Sequence, residues 1–138
     1  MVMYDDENDV PVSEIKIPGV DAELGSDLYG GEMDIYIGAL RSFATYMPAA
    51  INRLIHVSEE TLHEYAITVH GLKGSCAGIG AEDIKERAYD LEMKAKAGDL
   101  SGVLALNEEL IKDAKKLVTD IQAWLDCFIT SQNTVFGF

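Results

Sequence analysis

The chain has 138 residues, among them 24 acidic and 11 basic side chains, which gives a formal net charge of -13. This length suits one domain with one core, and so negative a surface repels nucleic acid and anionic membranes, so neither is expected as a partner. Two cysteines are too few for a disulfide framework, no apolar run reaches the ~20 residues that cross a bilayer, and the acidic N-terminus is unlike a signal peptide, which together indicate a cytoplasmic protein.

The two ends of the chain differ from the rest in composition. Residues 1–14 carry many acidic side chains without periodicity, which predicts a flexible acidic tail or linker. Residues 130–138 form a short polar stretch with two late aromatic residues, and we expect a C-terminal tail there. The domain is expected between them, at 15–129. It begins with an extended lead-in segment at 15–20. Asp21 is then suited to cap a short helix that runs to about Tyr29, just before two glycines.

Four longer segments carry apolar residues at helical spacing, at about 32–56, 58–79, 81–97 and 102–128. Pro48 lies inside the first of them, where it is expected to kink the helix or to divide it into two abutting helices. No segment alternates as a strand does, and the short connections make neighbouring helices antiparallel. The sequence therefore predicts an all-α fold, an antiparallel up-down-up-down four-helix bundle with a short N-terminal helix that caps one end.

The helix predicted at 58–79 has two distinct faces. Its apolar residues recur every three or four positions: Leu62, Ala66, Val69, Leu72, Cys76 and Ile79. His70 lies off this stripe, and Lys73 and Gly74 lie on the same face, three and four residues further on. Ile67 and Ala77 extend the patch in both directions. The helix therefore presents an imidazole with a cation and a bare stretch of backbone beside it.

Three glycines interrupt this helical run, Gly71, Gly74 and Gly78. Each costs about 1 kcal/mol relative to alanine at an exposed position inside a helix. Such backbone beside a reactive group is useful where another molecule must come very close. The alternative is that the glycines let neighbouring helices pack tightly, and both explanations remain open at this stage.

His70 has three candidate roles: a structural residue, a metal ligand or a phosphoacceptor. A structural residue of the core is disfavoured because His70 lies off the apolar stripe. His56, His63 and His70 are seven residues apart, which is about 10.5 Å along a helix and too far for one ion. The chain also offers a single Glu-x-x-His motif, at residues 60–63, where a di-metal bundle needs two. We therefore predict no metal site.

The phosphoacceptor role fits the neighbouring residues. A neutral imidazole is a competent nucleophile near neutral pH, because histidine has an ordinary pKa of about 6.5. The phosphorylated ring needs a cation nearby, which Lys73 can supply. The chain has no glycine-rich loop that cradles the phosphates of a nucleotide, so a partner is expected to supply the rest of the catalytic groups.

The stretch His70-Gly71-Leu72-Lys73-Gly74-Ser75, followed by Ile79-Gly80, resembles the signature of histidine-containing phosphotransfer (HPt) domains of two-component phosphorelays. The likeness extends over residues 17–125 and includes the lead-in segment and the first long helix. One departure is Gly71, which follows the histidine where many members carry a larger residue. The resemblance implies the same four-helix bundle.

The resemblance also implies a role for each matching residue. His70 would be the phosphoacceptor, usually through Nε2, while Lys73 would contact the phosphoryl group and Gly74 would leave room for the partner. That partner would be a receiver domain, which brings a phosphorylatable aspartate and its bound Mg²⁺, so the chain needs no cofactor of its own. Helix geometry adds three residues at the docking surface: Ile67, Gly71 and Ala77.

The expected function is a phosphoryl carrier without kinase activity of its own, which accepts the group on His70 from the aspartate of one receiver and passes it to another. Two alternatives remain open. The domain could be the substrate domain of a chemotaxis-type histidine kinase, or a non-catalytic helical adaptor that binds receivers. A monomer is expected, because the surface is negative and the His70 face is exposed.

Overall fold

The computed structural model describes residues 6–135, with side chains to residue 128. Five α-helices form the described part of the chain: α1 (Ala22–Asp27), α2 (Met33–Arg53), α3 (Leu62–Ala77), α4 (Glu82–Lys96) and α5 (Leu100–Val135). Two short 3-10 turns, Glu7–Asp9 and Val12–Glu14, precede α1, and a third, Glu59–Thr61, leads into α3. No strand occurs among the described residues, so the predicted all-α class is confirmed.

The four long helices enclose one core. The most extensive contact joins α3 to α4, and α5 packs against both α2 and α4, while α2 also packs against α3. Each helix therefore contacts two others and closes a ring around the buried side chains. The largest fully buried apolar residues are Tyr36, Ile37, Leu40, Phe43, Ile51, Leu54, Leu72, Ile79, Leu91, Leu110 and Ile121. None of the described helices combines the length and the apolar character needed to cross a membrane.

Helix α1 packs on the turn between α3 and α4. Asp21 caps α1 by accepting a hydrogen bond from the backbone N–H of Leu24 at 3.0 Å, as its position predicts. The buried hydroxyl of Tyr36 donates to the carbonyl oxygen of Ile79 at 2.8 Å, which ties α2 to the same turn. Gly80 completes the turn with φ of +84°, a backbone conformation that favours glycine. These contacts fix where α3 ends.

The N-terminal segment differs from the predicted flexible tail. Residues 6–14 form two 3-10 turns that pack on the helices, and Val10 is only 2% exposed. The indole N–H of Trp124 on α5 donates to the backbone carbonyl of Glu14 at 3.1 Å. One buried apolar side chain and a few hydrogen bonds thus order a segment whose composition alone indicated a tail, whereas residues 1–5 lie outside the described part.

Two helix boundaries also differ from the prediction. Helix α2 continues through Pro48 as one helix, so the alternative of two abutting helices is wrong. Helix α5 extends to Val135, past the expected end near residue 128 and into the stretch predicted as a C-terminal tail. Residues 136–138 lie outside the described part of the chain.

Candidate functional site

His70 lies near the middle of α3 and faces outward. Its side chain is 62% exposed, while Val69 and Leu72 on the apolar stripe of the helix are fully buried. The helix follows a capping box at its N-terminal turn, in which the backbone N–H of Ser58 donates to the hydroxyl of Thr61 at 2.8 Å. The predicted separation of a core face and an exposed imidazole face is therefore present.

A buried glutamate on α4 contacts the histidine on the side that faces the core. Glu92 is 1% exposed, and its Oε2 lies 2.8 Å from Nδ1 of His70. The other oxygen, Oε1, accepts a hydrogen bond from Nζ of Lys73 at 2.7 Å. Lys96, one turn further along α4, places its Nζ 2.9 Å from Oε2. One buried carboxylate thus connects two residues of α3 with one of α4.

The charge balance explains how a carboxylate can be buried here. Burial by itself raises the pKa of Glu92, but hydrogen bonds from Lys73, Lys96 and His70 outweigh that effect and lower the pKa to about 2. The carboxylate is therefore ionised at neutral pH. A buried charge of this kind is stable only because each of its oxygens is hydrogen-bonded.

The ionised carboxylate determines which nitrogen of His70 is free. An ionised carboxylate can only accept hydrogen bonds, so Nδ1 must be the donor in the 2.8 Å contact with Glu92. In the neutral imidazole the proton then resides on Nδ1, and Nε2 keeps its lone pair. The arrangement leaves a nucleophilic nitrogen on the edge of the ring that faces away from Glu92.

Lys73 occupies a fixed position beside the histidine. It is 25% exposed, and its Nζ lies 5.2 Å from the centre of the Tyr89 ring in addition to its contact with Glu92. An ammonium group has three N–H donors, so these contacts leave capacity for an incoming anion. The predicted cation is therefore present, but a carboxylate and an aromatic ring on α4 hold it in place.

A groove of about 580 Å³ opens on the other side of His70, between α2 and α3. Gly71 and Gly74 line this groove, and a Cβ atom added to either would meet nothing within 4 Å. Close packing between helices therefore does not explain these two glycines. Gly78 is different, because a Cβ there would lie 3.3 Å from the Tyr29 hydroxyl, a contact tight enough that the tyrosine side chain would have to shift.

The remaining residues predicted for the partner surface lie at the edge of this patch. Ile67 is 60% exposed on α3. Ala77 is half-buried near the end of the helix, and neither residue lines the groove. The groove instead has an aromatic side chain that the sequence did not single out, Tyr46 on α2, which is 68% exposed.

The sequence interpretation missed Glu92, Lys96 and Tyr89. A signal for Glu92 was present, since it stands four residues after Ala88 and three before Ala95, both of which are buried on α4. A carboxylate in the register of an apolar stripe must find cationic or hydrogen-bonding partners. Lys96 follows it by four residues, the spacing of a helical ion pair.

The other two histidines do not join the site. His63 is exposed on α3, and His56 is exposed in the segment between α2 and α3. Within residues 6–128, no three histidine, cysteine, aspartate or glutamate side chains are grouped so that they could hold a metal ion.

Comparisons of the chain with known proteins give two matches. The model of the Hpt domain family matches residues 38–126, which is more than half of the chain and includes all of α3 and α4. The phosphorelay protein LuxU of Vibrio harveyi is 35% identical over 96 residues, which cover 64% of this chain and 73% of that protein. No solved structure matches the chain significantly.

Proposed function

The chain belongs to the Hpt domain family, and on that premise we propose that His70 is the residue that carries the phosphoryl group. The protein is a histidine phosphotransfer protein of a phosphorelay, as the family and the similarity to LuxU both support. The observation that carries the assignment of His70 is its contact with Glu92, which holds Nδ1 and leaves Nε2 unprotonated on an exposed face.

The proposed reaction exchanges one bond to phosphorus for another. Nε2 of His70 attacks the phosphorus of an aspartyl phosphate on a receiver domain, an N–P bond forms and the P–O bond to the aspartate breaks. The aspartate leaves as a carboxylate, and the proton on Nδ1 stays where Glu92 holds it. Transfer to a second receiver is the same exchange in reverse.

Lys73 and Gly74 support this exchange in different ways. Positioning and charge neutralisation provide most of the catalysis in phosphoryl transfer. Lys73 places a positive charge beside the histidine, where the phosphoryl oxygens would lie. Gly74 lines the groove next to His70 without a side chain, so the backbone of a receiver could approach closely.

The receiver domain is proposed to supply what this site lacks. The one carboxylate bound to His70 is already occupied by two lysines, so it is unsuited to a divalent cation. Mg²⁺ is therefore proposed to reach the reaction bound to the receiver. Gly71 would lie under the docked receiver, with Ile67 and Ala77 at its rim.

The arrangement of the bundle belongs to the same proposal. Residues 78–81 and 97–99 are the only residues that separate α3 from α4 and α4 from α5. Such short connections support antiparallel neighbours and an up-down-up-down order of α2 to α5. We further propose that the protein acts as a monomer whose docking surface takes one receiver at a time.

The test is phosphoryl transfer from a purified receiver that a small phosphodonor has charged. Wild-type protein should gain one acid-labile phosphoryl group by intact mass, and His70→Gln should gain none. His63→Gln is the matched control, since His63 is exposed on the same helix, and it should be labelled like wild type. Equal labelling of His70→Gln and wild type would refute the assignment. Labelling that needs ATP and a kinase domain, and no receiver, would instead favour the substrate domain of a chemotaxis-type kinase.

A further inference from the structure

Tyr89 is an aromatic residue whose ring faces one of the charged groups of the site, the ammonium of Lys73. It lies on α4, three residues before Glu92, so both side chains project from the same face of that helix. The residue is 47% exposed, which places it outside the core. Nζ of Lys73 lies 5.2 Å from the centre of this ring, within the range in which an ammonium is attracted to an aromatic face.

Lys73 needs more than one contact to stay beside His70. A lysine ends a flexible four-carbon stem and is a compact charge without directional preference. Glu92 holds Nζ through one hydrogen bond of 2.7 Å, and the Tyr89 ring bounds it on another side. Together they restrict the ammonium to a position next to the imidazole before any phosphoryl group arrives.

We propose that Tyr89 is a positioning residue for phosphoryl transfer, which acts by holding the ammonium of Lys73 against the face of its ring. This inference rests on the proposed function, because it requires Lys73 to neutralise the phosphoryl group on His70. The effect of Tyr89 passes entirely through the lysine.

The ring is the part of Tyr89 that matters, so two substitutions should behave differently. Tyr89→Phe keeps an aromatic face under Lys73 and should transfer at the wild-type rate. Tyr89→Leu keeps a helix-forming apolar residue but removes the face, and should slow the single-turnover transfer by about twofold to fivefold at saturating receiver. The apparent affinity for the receiver should stay unchanged, because the lysine and not the docking contact is disturbed.

The decisive measurement is a double-mutant cycle with Lys73→Gln. If Tyr89 acts through the lysine, Tyr89→Leu should have no further effect on the transfer rate once Lys73 is replaced. A slowing of the same size in both backgrounds would overturn the proposal and would indicate that Tyr89 contacts the receiver directly. Equal loss in Tyr89→Phe and Tyr89→Leu would overturn it too, since it would assign the effect to the hydroxyl.

Two controls keep the outcome separate from folding and from the proposed function. Circular dichroism and urea unfolding of each variant report any change in the helix itself. Lys94→Gln removes a lysine on α4 that pairs with Asp90, away from His70, and should leave the transfer rate unchanged. Failure to label wild-type protein would refute the proposed function, whereas labelled wild type with no rate difference among Tyr89 variants would refute this inference alone.

Discussion

Replacement of Glu92 by glutamine tests whether one buried carboxylate organises the site. Glutamine keeps the size of the side chain and one acceptor oxygen, so Nδ1 of His70 retains a hydrogen-bond partner. The negative charge that faces Lys73 and Lys96 is lost. We therefore expect Glu92→Gln to fold but to be less stable than wild type at neutral pH.

The pKa of Glu92 sets the size of this loss. Its fall from 4.5 to about 2 corresponds to about 3 kcal/mol at about 1.36 kcal/mol per pH unit. Lys96 is 56% exposed, and because solvent screens its attraction we expect about 2 kcal/mol. The folded pKa lies below the unfolded one, so this contribution is complete above about pH 4.5 and is lost as the pH falls toward about 2.

Urea unfolding at two pH values measures the effect. At about pH 7 the free energy of unfolding of Glu92→Gln should be lower than that of wild type by about 2 kcal/mol, and at about pH 2.5 the difference should fall below half of that. Glu86→Gln is the matched control, since Glu86 is exposed on the same helix, and its difference should stay within about 0.5 kcal/mol.

A destabilisation of Glu92→Gln that is equal at both pH values would refute the reasoning. Such a result would mean that packing, and not the ionised carboxylate, accounts for the loss.

The same variant, Glu92→Gln, should also transfer phosphoryl groups more slowly. A glutamine amide can donate as well as accept, so the proton of His70 is no longer confined to Nδ1.

Two further substitutions test other parts of the structure. Gly74→Ala should raise the free energy of unfolding by up to about 1 kcal/mol, because a Cβ there meets nothing and alanine favours the helix, yet it should slow transfer from a receiver. Gly38→Ala on α2, where a Cβ also meets nothing, is the control and should stabilise the protein without slowing transfer. Faster or unchanged transfer in Gly74→Ala would contradict the role of the groove. Tyr65→Phe should lower the free energy of unfolding by about 1–3 kcal/mol, because the buried Oδ1 of Asn107 loses the hydroxyl that donates to it at 2.7 Å; a change below about 0.5 kcal/mol in urea unfolding would show that this hydrogen bond contributes little.

The periodicity of the sequence was sufficient to predict the long helices and the exposure of His70. In α3, a residue off the apolar stripe cannot face the core without exposing its apolar neighbours, so the outward direction of His70 follows from Val69 and Leu72. The same reasoning correctly placed Cys76 in the core, where burial raises the pKa of its thiol to about 12.

Periodicity could not predict the packing of residues 6–14, because their order depends on contacts with distant parts of the chain. Val10 is a single buried apolar residue in an acidic stretch, and one residue has no period. The hydrogen bond between Trp124 and Glu14 joins residues 110 positions apart, which no local pattern reveals. Composition predicts a tail where few apolar residues are available, and it fails where a neighbouring helix supplies the rest of the core.

Glu92 shows what an analysis of single helices omits. The motif around His70 places the histidine and the lysine on α3, but a third group fixes the tautomer of the histidine and the position of the lysine. That group comes from α4, 22 residues further along the chain. It can be inferred from the sequence only if an acidic residue on the apolar face of a helix is taken to indicate that cationic side chains lie nearby. Lys73 and Lys96 then become expected neighbours of the same carboxylate, and the carboxylate that they keep ionised orients His70 through Nδ1.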